Sequence, residues 1–276
     1  MLKTRLIPVL LLKNGILVRS QNFSLHQLMG NHVEQVKRFS AWKADEIIYL
    51  DISRDDEYNF SNIQNVIGST SSNSNVVKNS RNNIIDIISD ISKVCRVPLS
   101  IGGKIKSLED IKVRLAAGAD KVVINSAAIQ NPNFIKEASK QFGSQCIVVC
   151  VDVRKNYKTD EWEIYKKFGS DKSDYKLEKW LLQIQELGAG EILLQSIDND
   201  GKGEGYDLGL IKKVAKLVEV PLIILGGAGK FEHFVEALDV NNSISLGAAN
   251  IFHFTEQSII KIKKFMLNKN INVRIY

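Results

Sequence analysis

An internal repeat is the feature that most constrains how this chain can fold. Residues 97–128 and 220–250 each read as a short apolar strand, a Gly-Gly turn, an amphipathic helix and a second strand that ends in small residues. The copies lie 123–124 residues apart, since Pro98 aligns with Pro221 and the two Gly-Gly pairs align with each other. A spacing that large indicates two copies of a multi-element unit rather than a short solenoid repeat.

The rest of the chain continues the alternation of strand and helix. Apolar segments predict strands at 5–12, 46–51, 97–101, 121–125, 146–151, 191–195, 220–225 and 243–247. Helical periodicity follows at 32–43, 82–93, 107–117, 132–140, 175–187, 207–218, 230–238 and 256–267. Strict alternation predicts a parallel sheet. Eight units in 276 residues predict one (β/α)8 barrel domain over residues 1–276, built as a duplicated half-barrel. The rival fold, an open doubly wound sheet, would not require the repeat.

Three segments depart from this rhythm. Asn14-Gly15 is a hairpin turn signal with a return arm at 16–19, and 154–168 reads as a polar hairpin. The Ser/Asn-rich stretch at about 53–80 reads as a long polar insert, either a docking loop for another protein or a plain extension.

Composition excludes several classes of protein. The chain is 44% hydrophobic and 25% charged, has no apolar run of membrane length and shows no signal-peptide pattern. Its three cysteines match no metal motif and are expected to be reduced thiols in a cytoplasmic protein. The net charge of +6 suits an anionic ligand, but the cations are dispersed, which argues against a nucleic-acid partner. We expect no cofactor and no metal site.

Glycines and small polar residues at the ends of predicted strands indicate phosphate binding. Glycine lets backbone N–H groups approach an anion, and the loops after strands 7 and 8 of such barrels often hold phosphate. Symmetric sites would hold a substrate with a phosphate at each end. The alternative is that these glycines only make tight turns. The predicted residues are Gly102, Gly103, Asn125, Ser126, Asp200, Gly201, Gly226, Gly227, Gly247 and Ala248.

Asp152 is the predicted acid–base residue. It ends an otherwise apolar strand, so its carboxylate is expected in the barrel mouth, although a helix-capping or salt-bridged aspartate would fit the same pattern. Leu11 stands at the position that echoes Asp152 in the first half. Because leucine cannot move a proton, a mechanism with two opposed carboxylates lacks one of them.

Four charged residues stand at the starts of predicted strands, and they predict a ring of ion pairs over the barrel floor. They are Arg5, Glu46, Lys121 and Glu191. The ring is either functional or purely structural, because the floor of these barrels normally serves stability.

These residues together resemble the cyclase subunit of imidazole glycerol phosphate synthase over essentially the whole chain. The stretches that carry the resemblance are 5–8 (RLIP), 13–15 (KNG), 45–52 (DEIIYLDI), 118–127 (GADKVVINSA), 142–145 (FGSQ), 188–194 (GAGEILL), 196–201 (SIDNDG), 226–230 (GGAGK), 252–254 (FHF) and 272–274 (NVR).

The resemblance implies a barrel that is paired with a glutaminase. Ammonia from that partner would enter through a gate formed by the floor ring and would reach a substrate with two phosphates at the mouth. The products would be imidazole glycerol phosphate and an aminoimidazole carboxamide nucleotide. The family's acid–base carboxylate falls on Asp152, and its phosphate sites fall on the glycine-rich turns named above.

The chain departs from the family pattern around the mouth. The family's strand-1 aspartate is Leu11, its loop-1 lysine is Arg19, its third glycine after strand 3 is Lys104, and two serines are replaced by Leu225 and Asn250. An altered mouth above an intact gate resembles paralogues associated with surface polysaccharides. Those supply ammonia to an ATP-dependent amidotransferase that converts an acetamido sugar into an acetamidino sugar, and we expect this role. The alternatives are the cyclase of histidine biosynthesis and a non-catalytic scaffold that activates the glutaminase.

Overall fold

A computed structural model describes residues 3–253 and 258–275, except for residues 22, 24, 55–57 and 59–82. Most of the predicted polar insert at 53–80 lies outside the described residues.

Parallel strands form a closed barrel, as the sequence predicts. Strands β1, β4, β5, β6, β7, β10, β11 and β12 pair in that order, β10 also pairs with β7, and β12 pairs with β1, so the ring closes. The strands are β1 (Leu6–Lys13), β2 (Ile16–Gln21), β3 (Leu25–Gly30), β4 (Ile47–Asp51), β5 (Leu99–Gly102), β6 (Lys121–Ile124), β7 (Ile147–Asn156), β8 (Glu161–Lys166), β9 (Asp171–Lys176), β10 (Glu191–Ser196), β11 (Leu222–Leu225) and β12 (Ser245–Ala248).

Helices surround this ring on the outside. The described residues form α1 (His32–Ala41), α2 (Ile84–Ser92), α3 (Leu108–Ala116), α4 (Ser126–Gln130), α5 (Asn133–Phe142), α6 (Leu177–Glu186), α7 (Leu208–Val214), α8 (Phe231–Val240) and α9 (Ile259–Asn268). Local chemistry sets several starts: the Asn31 side chain accepts from two N–H groups of α1, and Ser107 and Asp110 form a capping box on α3. None of the described helices is long and apolar enough to cross a membrane.

Two apolar layers explain why the barrel strands read as continuous apolar runs. Outward side chains pack against the helices in one large cluster, and inward side chains fill the bore in a second cluster. A strand that is buried on both faces needs apolar residues at every position.

The structure corrects the sequence prediction at the rim of the barrel. The first hairpin continues into β3, which the sequence analysis missed, and the polar hairpin at 154–168 is a three-stranded ribbon of β7, β8 and β9. These rim strands pair antiparallel, and β9 reads DKSDYK, so no apolar alternation marks it. The short helix α4 was also missed, and the helix predicted at 207–218 ends earlier, at Val214.

Candidate functional site

The four charged residues of the predicted ring meet on the barrel floor. Arg5 Nη1 donates to Glu46 Oε2 at 3.0 Å, and Arg5 Nη2 donates to Glu191. Lys121 Nζ donates to Glu46 Oε2 at 2.9 Å and to Glu191 Oε2 at 2.7 Å. Burial alone would lower the pKa of Lys121, but the two carboxylates outweigh it and raise the pKa above its ordinary value. The result is a closed, charge-balanced ring.

Two serines complete this floor ring, and the sequence analysis missed both. Ser100 Oγ donates to Glu46 Oε1 at 2.6 Å, and Ser245 Oγ accepts from Arg5 Nε at 3.0 Å. A signal was available for Ser100, which is the lone hydroxyl in an otherwise apolar predicted strand, but the strand that holds Ser245 also contains Ser243. The hydroxyls hold the ring members in one geometry.

Above the floor ring, the bore is lined by apolar side chains. Each of these residues is at most 5% exposed: Ile7, Val9, Ile48, Val123, Val148, Cys150, Leu193, Ile223 and Leu225. A lining of this kind penalises a charged species far more than a small neutral one.

Asp152 lies at the top of the bore on β7, where the sequence predicts it. It is 6% exposed and accepts hydrogen bonds from Asn125 Nδ2 at 2.8 Å and from Cys150 Sγ at 3.2 Å. Burial raises the pKa of Asp152 to about 6, and the charge of Asp200 adds to that effect, while the two hydrogen bonds oppose it. A carboxyl with such a pKa can accept or donate a proton near neutral pH.

Asp200 is a second carboxyl at this mouth. It accepts from Ser20 Oγ at 3.2 Å and from Phe23 N at 3.4 Å, so it ties the β2 hairpin to the loop after β10. Burial raises its pKa to about 6 against those hydrogen bonds. The sequence analysis placed Asp200 among the phosphate ligands. Its raised pKa also makes a role in proton transfer chemically possible.

Leu11 and Gln195 are two further buried residues of the barrel strands. Leu11 is 8% exposed on β1, so it puts an apolar side chain where the half-barrel repeat allows a carboxylate. Gln195 is 5% exposed and is the register partner of Asp152 on β10. Because strand side chains alternate, Gln195 shares its face with Glu191 and Leu193 and points into the bore. The sequence analysis missed it, although it is a polar residue in an apolar strand.

A cavity of about 500 Å³ opens between the loops after β10, β11 and β12 and the β2–β3 hairpin. The predicted phosphate residues Asp200, Gly201, Gly226, Gly227 and Ala248 line it, together with the side chains of Arg19 and His26. The predicted residue Gly247 lies in β12 beneath it, and its carbonyl accepts from Tyr206 OH at 2.9 Å.

Glycine is required at the bottom of this cavity. Gly227 has φ +105°, and a Cβ there would lie 1.9 Å from the Gly205 carbonyl oxygen. Gly205 N in turn donates to Gly227 O at 2.8 Å, so the two loops lock together. The N–H groups of Gly229 and Lys230, two and three residues after Gly227, donate to His233 Nδ1 at 3.1 and 3.3 Å. We call the turn at Gly226–Gly227 the glycine cradle. Its conformation is held by backbone contacts with Gly205 and by the start of α8.

The other predicted phosphate residues, Gly102, Gly103, Asn125 and Ser126, do not line this cavity. A Cβ on Gly103 would lie 2.1 Å from the Asp51 carbonyl oxygen, so this glycine serves close backbone packing. Asn125 is engaged by Asp152, and Ser126 Oγ accepts from Lys167 N at 3.0 Å. The two predicted phosphate sites are thus unlike each other, in spite of the sequence repeat.

Among the residues that the structure describes, no cluster of His, Cys, Asp and Glu side chains has the arrangement of a metal site.

Comparison with known proteins agrees with this architecture. The sequence profile of the family described as "Histidine biosynthesis protein" matches residues 75–258. The imidazole glycerol phosphate synthase subunit HisF of Hydrogenobaculum sp. is 40% identical over 275 residues, covering 100% of both chains. The HisF subunit of Caulobacter vibrioides is 38% identical, covering 100% of this chain and 97% of its own length. That of Geobacillus kaustophilus is 36% identical, covering 99% of this chain and all of its own. The chain therefore belongs to the HisF family of histidine biosynthesis proteins.

Proposed function

We propose that this chain is the ammonia-accepting subunit of a glutamine amidotransferase complex. A separate glutaminase docks on the barrel floor, and ammonia passes through the floor ring and the bore to an anionic small molecule at the mouth. The observation that carries the proposal is the continuity of the path: a charge-balanced ring, a bore lined mainly by apolar side chains and a carboxyl with a pKa of about 6 follow one another along the barrel axis.

The floor ring suits a gate that the partner operates. The glutamates are 2% and 5% exposed in their side chains, whereas Arg5 is 28% exposed. Arg5 is therefore the most exposed member of the ring, ahead of Lys121 at 20%, and turning its guanidinium outward breaks its two ion pairs at once. The apolar bore then selects neutral ammonia over the ammonium ion, because burying an unpaired charge is costly.

The first candidate reaction at the mouth is the cyclase reaction of histidine biosynthesis. The relatives that are named imidazole glycerol phosphate synthase subunits favour it. Ammonia would combine with the nucleotide precursor that carries two phosphates, to give imidazole glycerol phosphate and the aminoimidazole carboxamide nucleotide. With Leu11 on β1, the proton transfers would fall to Asp152 and Asp200, and the charge of Asp200 helps to raise the pKa of Asp152.

The second candidate is ammonia supply to an ATP-dependent amidotransferase that acts on an acetamido sugar of surface polysaccharides. The specific observation that favours it is Leu11, which is 8% exposed at the mouth and cannot transfer a proton. Loss of one general acid–base group typically lowers a rate by a factor of about 10²–10⁴. A barrel that only conducts ammonia needs no such group.

Turnover by the purified chain distinguishes the two candidates. The chain is supplied with ammonium and the two-phosphate precursor, and imidazole glycerol phosphate is measured for the native protein, Leu11→Asp and the matched control Leu11→Asn. Under the first candidate the native chain turns over, and Leu11→Asp, but not Leu11→Asn, raises the rate by about 10²-fold or more.

Under the second candidate neither the native chain nor Leu11→Asp forms the imidazole product. An amidinated sugar appears only when glutaminase, glutamine and the sugar amidotransferase are added together. If the chain stimulates glutaminase but ammonia reaches no acceptor in either assay, the chain is a scaffold and the proposal fails.

A further inference from the structure

The edge of the mouth next to β5 is closed by an internal ion pair. Asp51, the last residue of β4, is 1% exposed. Its Oδ1 accepts from Ser53 N at 2.9 Å and from Ser53 Oγ at 2.5 Å, and its Oδ2 accepts from Tyr58 OH at 3.0 Å. Lys104 Nζ lies 3.5 Å from the same Oδ2.

Lys104 stands where an anion would have to approach. Its side chain is 12% exposed, and its ammonium lies 5.0 Å from the centre of the Tyr58 ring. Because Asp51 neutralises this ammonium, the pair offers little net attraction to a phosphate. Lys104 also has φ +55°, a conformation that glycine adopts without cost, so the lysine is kept there against backbone preference.

The described backbone next to Lys104 is engaged in contacts of its own. Gly103 packs directly on Asp51, as described above, and the Gly103 carbonyl oxygen accepts from Arg114 Nη2 at 3.1 Å. The turn between β8 and β9 lies over the start of α4, because Lys167 N donates to Ser126 Oγ. The opposite edge of the mouth is open, with the cavity of about 500 Å³ and its glycine cradle.

We infer that the mouth takes a substrate with one anionic end, bound at the Gly226–Gly227 edge, and that the Asp51–Lys104–Tyr58 cluster replaces a second anion site. The substrate class is a singly phosphorylated small molecule or one with a single comparable anionic group. This inference rests on the proposed function only in taking the mouth as the substrate site. It disfavours a substrate with a phosphate at both ends.

Binding of sugar phosphates tests the inference without any turnover. Calorimetry compares fructose 6-phosphate with fructose 1,6-bisphosphate on the native chain, on the double variant Asp51→Asn/Lys104→Gly and on the control Lys106→Gly, which alters an exposed lysine of the same turn. The native chain and Lys106→Gly are expected to bind the two sugars with affinities within about threefold of each other. The double variant is expected to prefer the bisphosphate by about tenfold or more, since it removes the Lys104 side chain without leaving a charged Asp51 beside the incoming phosphate.

Three results would overturn the inference. The first is a tenfold preference of the native chain for the bisphosphate, and the second is failure of both sugars to bind at millimolar concentration. The third is a folded Asp51→Asn/Lys104→Gly variant, checked by its thermal transition, that still binds the two sugars alike. Failure of ammonia transfer with these affinities intact would instead remove only the proposed function.

Discussion

Glu46 and Lys121 form an ion pair of 2.9 Å across the barrel floor, and the same glutamate oxygen also accepts from Arg5. One carboxylate oxygen thus joins both cations of the floor ring. Removing its charge leaves two cations facing the single remaining carboxylate of Glu191.

Glu46→Gln is therefore expected to lower the free energy of unfolding by about 2 kcal/mol, less than for a fully buried pair because Lys121 is 20% exposed. It is also expected to lower glutamine-dependent turnover more than ammonium-dependent turnover. Urea unfolding and paired assays measure both. The control is Glu109→Gln. Glu109 pairs with Lys112 on the solvent-exposed surface, so this substitution should change the free energy of unfolding by less than about 1 kcal/mol. Equal loss with both nitrogen sources would argue against a gate.

Asp152→Asn is expected to stabilise the protein at neutral pH. The folded pKa of about 6 lies above the reference value of 3.8, so the folded state binds the proton more tightly. Stability from this group is present at low pH and is lost as pH rises from about 4 to about 6. At about 1.4 kcal/mol per pKa unit, the variant should gain up to about 3 kcal/mol above pH 6 and nothing below pH 4.

Urea midpoints measured across that pH range for Asp152→Asn and for the exposed control Asp174→Asn provide the measurement. A gain that is the same at both ends of the range would show that ionisation of Asp152 is not its cause.

Lys263→Met is expected to cost about 3 kcal/mol of stability. Lys263 on α9 donates to the Lys43 carbonyl at 2.6 Å and pairs with Asp45 at 2.8 Å, and both side chains of the pair are below 5% exposed. The substitution leaves a buried carboxylate without its cation. Lys261→Met on the exposed side of α9 is the control and should change the melting temperature little. Similar shifts for both variants would show that the ion pair contributes nothing of its own.

Gly227→Ala is expected to abolish phosphate binding and to destabilise the fold, because its Cβ meets the Gly205 carbonyl at 1.9 Å with φ +105°. Gly203→Ala is the matched control. Gly203 also has positive φ, at +72°, but its Cβ would meet only Gly229 Cα at 3.6 Å. It should cost about 1 kcal/mol from backbone strain alone. ³¹P NMR with inorganic phosphate and thermal unfolding separate the two effects, and wild-type phosphate affinity in Gly227→Ala would refute the cradle.

The barrel was predictable because its strands are buried on both faces. Strand β1, for example, is apolar along nearly its whole length, and the structure places it at Leu6–Lys13 against a predicted 5–12. The floor ring was predictable because like positions on parallel strands meet at one end of a barrel. The rim was not: β9 has no apolar alternation, and its side chains contact β8 through ion pairs such as Lys172–Glu163 and Lys176–Glu161, which leave no periodic pattern in the sequence.

The Asp51–Lys104–Tyr58 cluster beside β5 was not predictable either. The sequence analysis saw a lysine after Gly102-Gly103 but had no means to see its partner, because Asp51 lies on the previous barrel strand and Tyr58 falls in a stretch that reads as featureless polar loop. The half-barrel repeat predicted two equivalent phosphate sites. The two sites differ through single residues such as Lys104, and these differences leave the repeat recognisable in the sequence.

The floor ring divides its charges unevenly between the two halves of the barrel. The first half supplies Arg5, Lys121 and Glu46, and the second supplies only Glu191, with Ser245 as a neutral partner. Cut apart, the first half would present a net positive underside and the second a net negative one. Two copies of the same half would then repel each other where they meet, whereas unlike halves would attract. The charges of the floor ring thus favour the assembly of unlike half-barrels over like ones.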